Sequence, residues 1–250
     1  MIGGKQLEWL PLGDSAVTVR FGSSIELHTH RRVMAVSDHW SRHRFPGMIE
    51  VVPAFASVTV HYEPAAVWTW SRHEPGQGGG STIFEAVCGR LGKLLQQLSA
   101  EEEAPSRTVE VPVYYGGEAG PDLEFVARHN GLGMEEVIEL HSSAVYTVYM
   151  IGFAPGFPYL GGMTERIAAP RRASPRPSVP AGSVGIAGAQ TGIYPFETPG
   201  GWQLIGRTPL RLFLPDQDPP SYLLAGDRLR FRPVSLEAYH ELRLSGEGML

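Results

Sequence analysis

The sequence predicts a small α+β domain followed by a mainly-β domain that closes, wholly or in part, into a barrel. Three observations carry this expectation. At 250 residues the chain reaches the size at which one hydrophobic core commonly gives way to two. The first hundred residues mix strand-like and helix-like hydrophobic periods. Between Gly152 and Pro209 the texture changes to 11 glycines and 9 prolines, interleaved with apolar and aromatic residues. That pattern suits short strands joined by tight turns and does not suit a disordered tract.

In the first domain, Gly13-Asp14 signals a turn, and Val17, Val19 and Phe21 alternate with polar or small residues as in a half-buried strand. From Ile25 to about Arg44, Val33, Val36 or Ser37, and Trp40 recur at helical spacing, and Pro46-Gly47 ends the helix. Met48–Pro53 and Ala56–Tyr62 read as two further strands, closed by Glu63-Pro64. After the Gly-rich stretch 76–80, Thr82-x-x-Glu85 is a capping box. The helix it opens carries Ile83, Val87, Leu91, Leu94, Leu95 and Leu98 on one face. Two helices over one face of an antiparallel sheet make a sufficient core, so the domain is assigned to residues 1–100 and the linker to the acidic, Pro-containing stretch 101–107. A boundary at Gly76–Gly80 is the alternative.

The second domain, 108–250, opens with the strand Thr108–Val113. Two short helices follow, Asp122–His129 stopped by Asn130-Gly131, and Met134–Leu140. Short strands are expected from Tyr146 onward.

Composition narrows the function. A net charge of −5 weighs against a nucleic-acid or anionic-membrane surface. Neither a signal peptide nor an apolar stretch of spanning length is visible, which points to the cytoplasm. Cys88 is the sole cysteine, so no intrachain disulfide or Cys-x-x-Cys pair can form, and its apolar helical position suits a small buried hydrophobe. No lysine follows Lys93, which excludes P-loop, Schiff-base and biotinyl lysines from the second half. Residues 182–188 lack the dinucleotide-binding glycine spacing, and no G-x-S-x-G elbow occurs. His28-x-His30 and His39-x-x-x-His43 read as solvated helix-face residues, so no metal site is assigned.

The candidate site lies within 141–207. His141 and Ser142 fall where a helix runs out and a strand begins. They are either a general acid/base beside a hydroxyl, with the helix C-terminus favouring imidazolium, or a helix stop that satisfies the last carbonyls. Phe153, Phe157 and Tyr159, set among turn formers, either plug a barrel end or line an apolar pocket. Ser183, Gln190 and Thr191 supply hydrogen-bonding groups on a Gly-rich segment, and Trp202, Gln203 and Arg207 add an indole, an amide and a guanidinium. Arg207, like Arg171 or Arg172, has the fork geometry to clamp a carboxylate or phosphate.

Longer motifs add a resemblance. Val111-Pro-Val-Tyr-Tyr-Gly-Gly117, Leu140-His-Ser-Ser143, Tyr146–Gly161, Val179–Gly192 and Pro199–Thr208, with Gly13-Asp-Ser-Ala16 and Val52–Ser57 in the first domain, closely resemble the B-subunit family of bacterial 5-oxoprolinase. That family includes KipI, an inhibitor of a histidine kinase, and the domain called allophanate hydrolase subunit 1. The resemblance implies a small α/β N-terminal domain and a cyclophilin-like β-barrel. It implies one component, inactive alone, of an ATP-dependent hydrolase that opens 5-oxo-L-proline to L-glutamate. The C subunit of 5-oxoprolinase is then the direct partner, and the A subunit is the third component. ATP, with Mg2+, would be used together with those partners. The family also leaves open a regulator that docks on a histidine kinase, or a component of an allophanate- or urea-type amidohydrolase or carboxyltransferase system. The chain departs from the latter in lacking a carboxylase segment and biotinyl-lysine, and it carries a long 65–81 stretch of unassigned role. Prolyl isomerase activity is not expected, because fold does not carry function.

Overall fold

A computed structural model describes residues 7–24, 26–73, 82–98 and 107–245. Ile25, the Gly-rich stretch 76–80 and the linker residues 101–106 lie outside the described residues. The chain forms two compact units, Met1–Pro105 and Ser106–Leu250.

In the first unit, β1 (Glu8–Pro11), β2 (Ala16–Arg20), β3 (Met48–Pro53) and β4 (Ser57–Tyr62) form an antiparallel sheet in the order β1-β2-β4-β3. Alternation buries Val17 and Val19 on β2 and Val58 and Val60 on β4, and these meet two helices, α1 (Leu27–Arg42) and α3 (Ile83–Gln97). Helix α1 contributes Val33, Val36 and Trp40 to this core, and α3 contributes Val87, Leu91 and Leu94. The capping box forms as its spacing predicts: the Glu85 amide donates to Thr82 Oγ1 at 3.2 Å, and the Thr82 amide donates to Glu85 Oε2 at 2.8 Å. These bonds hold the Glu85 carboxyl below its ordinary pKa.

Two expectations are corrected in this unit. Glu63-Pro64 does more than close a strand, because Glu63 accepts from the Ala65 and Ala66 amides and Pro64 occupies the first turn of a further helix, α2 (Pro64–Ser71). His30 and His39 are not solvated, being only 1% and 6% exposed. Nine residues apart, they lie about 180° from each other around the helix and flank the Val33, Val36 and Trp40 stripe from opposite sides, so neighbouring packing covers both. Burial pushes the Cys88 thiol up to about 11, consistent with an unreactive packing residue.

In the second unit, the observed elements are β5 (Thr108–Tyr115), α4 (Leu123–Asn130), α5 (Met134–Ser143), β6 (Tyr146–Ile151), β7 (Pro158–Gly161), β8 (Arg176–Val179), β9 (Ser183–Ala187), β10 (Gln190–Ile193), β11 (Thr198–Gly200), β12 (Gln203–Arg207), β13 (Arg228–Pro233) and α6 (Leu236–Ser245). Seven of these strands close into a mixed barrel in the order β10-β7-β6-β13-β5-β12-β9, in which only the β5–β13 pair is parallel. Helix α4 ends in Gly131 at φ 67, the left-handed cap the sequence signals. Helices α4 and α5 pack on each other and against β12 and β13. Strands β8 and β11 pair separately as a two-stranded ribbon. Val111, Val113, Val148, Val184, Ile186 and Leu229 are among the residues filling the barrel.

Candidate functional site

Strand alternation divides the 141–207 residues between two sides of the barrel wall. On β9 and β10, Val184, Ile186 and Ile193 join the interior core, while Ala187 joins a second apolar cluster with Phe157, Val179, Tyr194, Trp202 and Leu204.

His141 belongs to the interior. Helix α5 runs on to Ser143, so His141 lies inside its last turn and is 0% exposed. Thr191 Oγ1 donates to the Gly185 carbonyl at 3.0 Å and accepts from His141 Nε2 at 2.9 Å. His141 Nδ1 is therefore the acceptor, and the Tyr115 hydroxyl donates to it at 2.8 Å. The Tyr146 hydroxyl donates to the His141 carbonyl at 2.8 Å, and the imidazole packs against Phe231 with ring centroids 4.4 Å apart. With both nitrogens occupied and the ring fully buried, desolvation pushes the imidazole pKa down to about 3. Burial also raises the Tyr115 and Tyr146 hydroxyls.

This geometry corrects the expected placement of the ring. It is buried inside the barrel and not open at a helix end, and it is neutral, because desolvation outweighs the helix C-terminus that would favour imidazolium. Ser142 turns back to its own helix, donating to the Glu139 carbonyl at 3.4 Å.

The aromatic residues do come together, but as packing. Phe157 meets Tyr159, Tyr194 and Trp202 edge-on, with centroids 5.2, 5.7 and 5.7 Å apart. These rings sit over the paired glycines Gly185 and Gly192, where a Cβ on Gly192 would meet both Phe157 and Trp202 at 3.1 Å. Phe157 is 2% exposed and Trp202 6%, so neither lines an open pocket. Ser183, Thr191 and Gln203 are buried as well, and the Gln203 amide donates to the Pro170 carbonyl at 2.9 Å. Tyr159 and Gln190 are half-buried. Phe153 is the exception: it is 71% exposed, stacks edge-on against Phe157 at 5.5 Å, and has φ 68. The left-handed region is costly for a bulky residue, and such strain concentrates at functional surfaces.

Asp122, which the sequence marks only as the start of a helix, organises this side of the barrel through its buried carboxylate. Oδ1 accepts from Arg172 at 3.1 Å and Arg176 at 2.8 Å, and Oδ2 accepts from the Leu204 amide at 2.7 Å. The aspartate is thus bound to partners about 50 and 82 residues away, a pairing with no local sequence signal.

Arg207 lies elsewhere, in an open cleft of about 450 Å³ between the 207–215 segment and α6. Its Nε donates to the Ala181 carbonyl at 2.7 Å, which fixes the guanidinium plane. Arg211 and Arg243 line the same cleft, beside Phe196, Phe213 and Tyr239. Ser183 pairs with Arg207 across β9 and β12 but is not among the cleft's lining residues. Of the site residues expected from the sequence, only Arg207 reaches this cleft. Sequence reasoning misses Arg243 because it assigns no helix to 236–245. Among the described residues no group of three His, Cys, Asp or Glu side chains is placed to hold a metal ion, and no helix is long and apolar enough to cross a membrane.

Residues 7–223, which take in parts of both units, match the family described as carboxyltransferase domain, subdomain C and D, so the chain is a carboxyltransferase-type module. Among curated proteins the chain is 53% identical to the 5-oxoprolinase B subunit of Bacillus subtilis, over 92% of this chain and 93% of that one. It is 42% identical to the 5-oxoprolinase B subunit of Escherichia coli O157:H7, over 89% and 94%. The crystal structure of TTHA0988 aligns with a TM-score of 0.72 at 36% identity, covering 88% of this chain and 40% of that one, so the present chain spans less than half of that protein. The chain belongs to the B-subunit family of 5-oxoprolinase.

Proposed function

We propose that the chain is the B subunit of a cytoplasmic, ATP-dependent 5-oxoprolinase that opens 5-oxo-L-proline to L-glutamate together with the C and A subunits. The observation that carries this reading is 53% identity to a 5-oxoprolinase B subunit over 93% of that protein's length. The barrel is read as cyclophilin-like, and the segments flanking 101–107 as separately folding domains.

A lactam is a resonance-stabilised amide and resists attack by water. Phosphorylating its oxygen weakens the amide resonance and makes the carbonyl carbon attackable. Once water has added, the C–N bond breaks with the ring nitrogen leaving as the amine, and hydrolysis of the acyl phosphate that remains releases phosphate and glutamate. Catalysis therefore needs positive charge and donors around the transferred group. The donor set of the Arg207 cleft suits a phosphate, and Arg207 is assigned the clamp. Mg2+ would enter bound to the nucleotide, as it commonly does, and not through a preformed protein cage. His141 and Thr191 are assigned a positioning role, holding β10 and α5 together from inside the barrel. Phe153 is assigned to the surface that meets the C subunit, and the half-buried Tyr159 and Gln190 are assigned to it as well.

Co-expression of this chain with the A and C subunits tests the reading. ATP-dependent release of glutamate from 5-oxoproline is expected from the assembled complex and not from this chain alone. A pure, assembled complex that releases none overturns it.

A further inference from the structure

Three arginines, Arg207, Arg211 and Arg243, line one cleft on the second unit. Arg207 projects from β12, and Arg211 follows four residues later on the segment that leaves the strand. Arg243 lies on α6 one helical turn beyond Tyr239, so both side chains reach the same side of that helix. Three like charges in one cleft create a field that draws an anion into it. Arg207 is also preset for such a ligand. Its Nε is spent on the Ala181 carbonyl, which orients the guanidinium plane, and the residue lines the cleft, leaving its terminal nitrogens as the donors that could meet an anion.

The backbone under this arginine is tightly built. Gly182 has φ 80, and a Cβ there would come within 2.3 Å of the Thr208 carbonyl. Only glycine therefore lets the 181–183 turn approach β12 closely enough for Ala181 to hold Arg207. Thr208 Oγ1 accepts from the Leu210 amide at 3.2 Å, which leaves its hydroxyl proton to donate. Beside the charges, Phe196 and Phe213 supply apolar and aromatic wall, and the volume of about 450 Å³ lies in the range of small-molecule sites.

We propose that this cleft binds a phosphate-bearing small molecule of nucleotide type, its phosphates on Arg207, Arg211 and Arg243 and its planar part against Phe196 and Phe213. The inference deepens the 5-oxoprolinase reading and rests on it for the identity of the nucleotide, since it assigns the phosphate-holding part of an ATP-dependent reaction to this chain. The geometry of the cleft stands independently of that reading.

The test is calorimetric titration of the purified full-length chain with ATP, inorganic tripolyphosphate, adenosine and 5-oxoproline in turn. ATP and tripolyphosphate are expected to bind, more weakly as salt is raised, and ATP more tightly than tripolyphosphate. Adenosine and 5-oxoproline are expected to bind far more weakly. Arg243→Gln, on an exposed helix end, and Arg207→Gln should each weaken ATP binding roughly ten- to hundredfold. Arg207→Lys, which keeps the charge and loses the fork, should fall between. Circular dichroism checks that each variant is folded. Absence of ATP binding, or an affinity unchanged in both glutamine variants, overturns the proposal. An assembled complex that releases glutamate with wild-type KM for ATP despite both substitutions also overturns it, while leaving the 5-oxoprolinase reading in place. A cleft that binds ATP in a complex unable to open 5-oxoproline sinks that reading and spares the site.

Discussion

Substitution of His141 separates a buried positioning residue from a catalytic one. The folded chain holds this imidazole neutral, with its pKa pushed down to about 3 by burial against the ordinary 6.5. As pH falls below 6.5 the unfolded chain takes up a proton that the folded chain refuses. The barrel is therefore at full stability above that pH and loses about 1.4 kcal/mol per pH unit as pH falls toward the folded value. Between pH 7 and pH 5 the loss is about 2 kcal/mol. Tyr115 and Tyr146 stay neutral throughout this window, because burial raises both.

His141→Gln keeps a donor and an acceptor but does not titrate, so this component of the pH dependence should vanish. His141→Ala leaves the Tyr115 hydroxyl without its acceptor and opens a cavity beside Phe231, costing about 3–5 kcal/mol at every pH. Urea unfolding, read by hydrogen exchange of peptides from residues 108–233, follows the barrel separately from the first unit. In the assembled enzyme His141→Gln should keep turnover within roughly tenfold of wild type, whereas loss of a general acid/base costs roughly 10²–10⁴. A folded His141→Gln barrel with unchanged pH dependence, or a folded complex with catalysis reduced a thousandfold, refutes the reasoning.

Asp122→Asn should lower the stability of the barrel by about 2–4 kcal/mol, the lower end reflecting the partial exposure of Arg172 and Arg176, and a shift in urea midpoint measures it. A midpoint unchanged at neutral pH would show the two arginines to be paired by solvent alone. Phe153→Gly should leave the chain folded, or stabilise it by about 1 kcal/mol through relief of the left-handed backbone. The same substitution should weaken association with the C subunit tenfold or more, which co-purification and a titration with separately tagged subunits would show. Phe157→Ala and Trp202→Ala report on packing instead, since both rings are buried, and each is expected to lower the melting temperature of the isolated chain.

Local chemistry is plain in the sequence. The Thr82–Glu85 capping box, the Gly131 helix stop and the alternation of Val17, Val19, Val58 and Val60 need only neighbours a few residues away, and each forms as its spacing predicts. The turn-rich texture of 152–209 likewise foretells short strands, and the closed barrel contains them. Long motifs such as Tyr146–Gly161 carry the family, because a motif depends on the order of residues and not on where they point. What the sequence could not decide is which side of the barrel wall each site residue occupies. Side chains alternate with a period of two, so the register places Thr191 against His141 inside and leaves Gly192 outside under Phe157 and Trp202. Closure of the barrel then buries an imidazole that would otherwise sit at an open helix end. The Asp122 cluster and the three-arginine cleft join residues tens of positions apart, and only the folded chain brings their charges together.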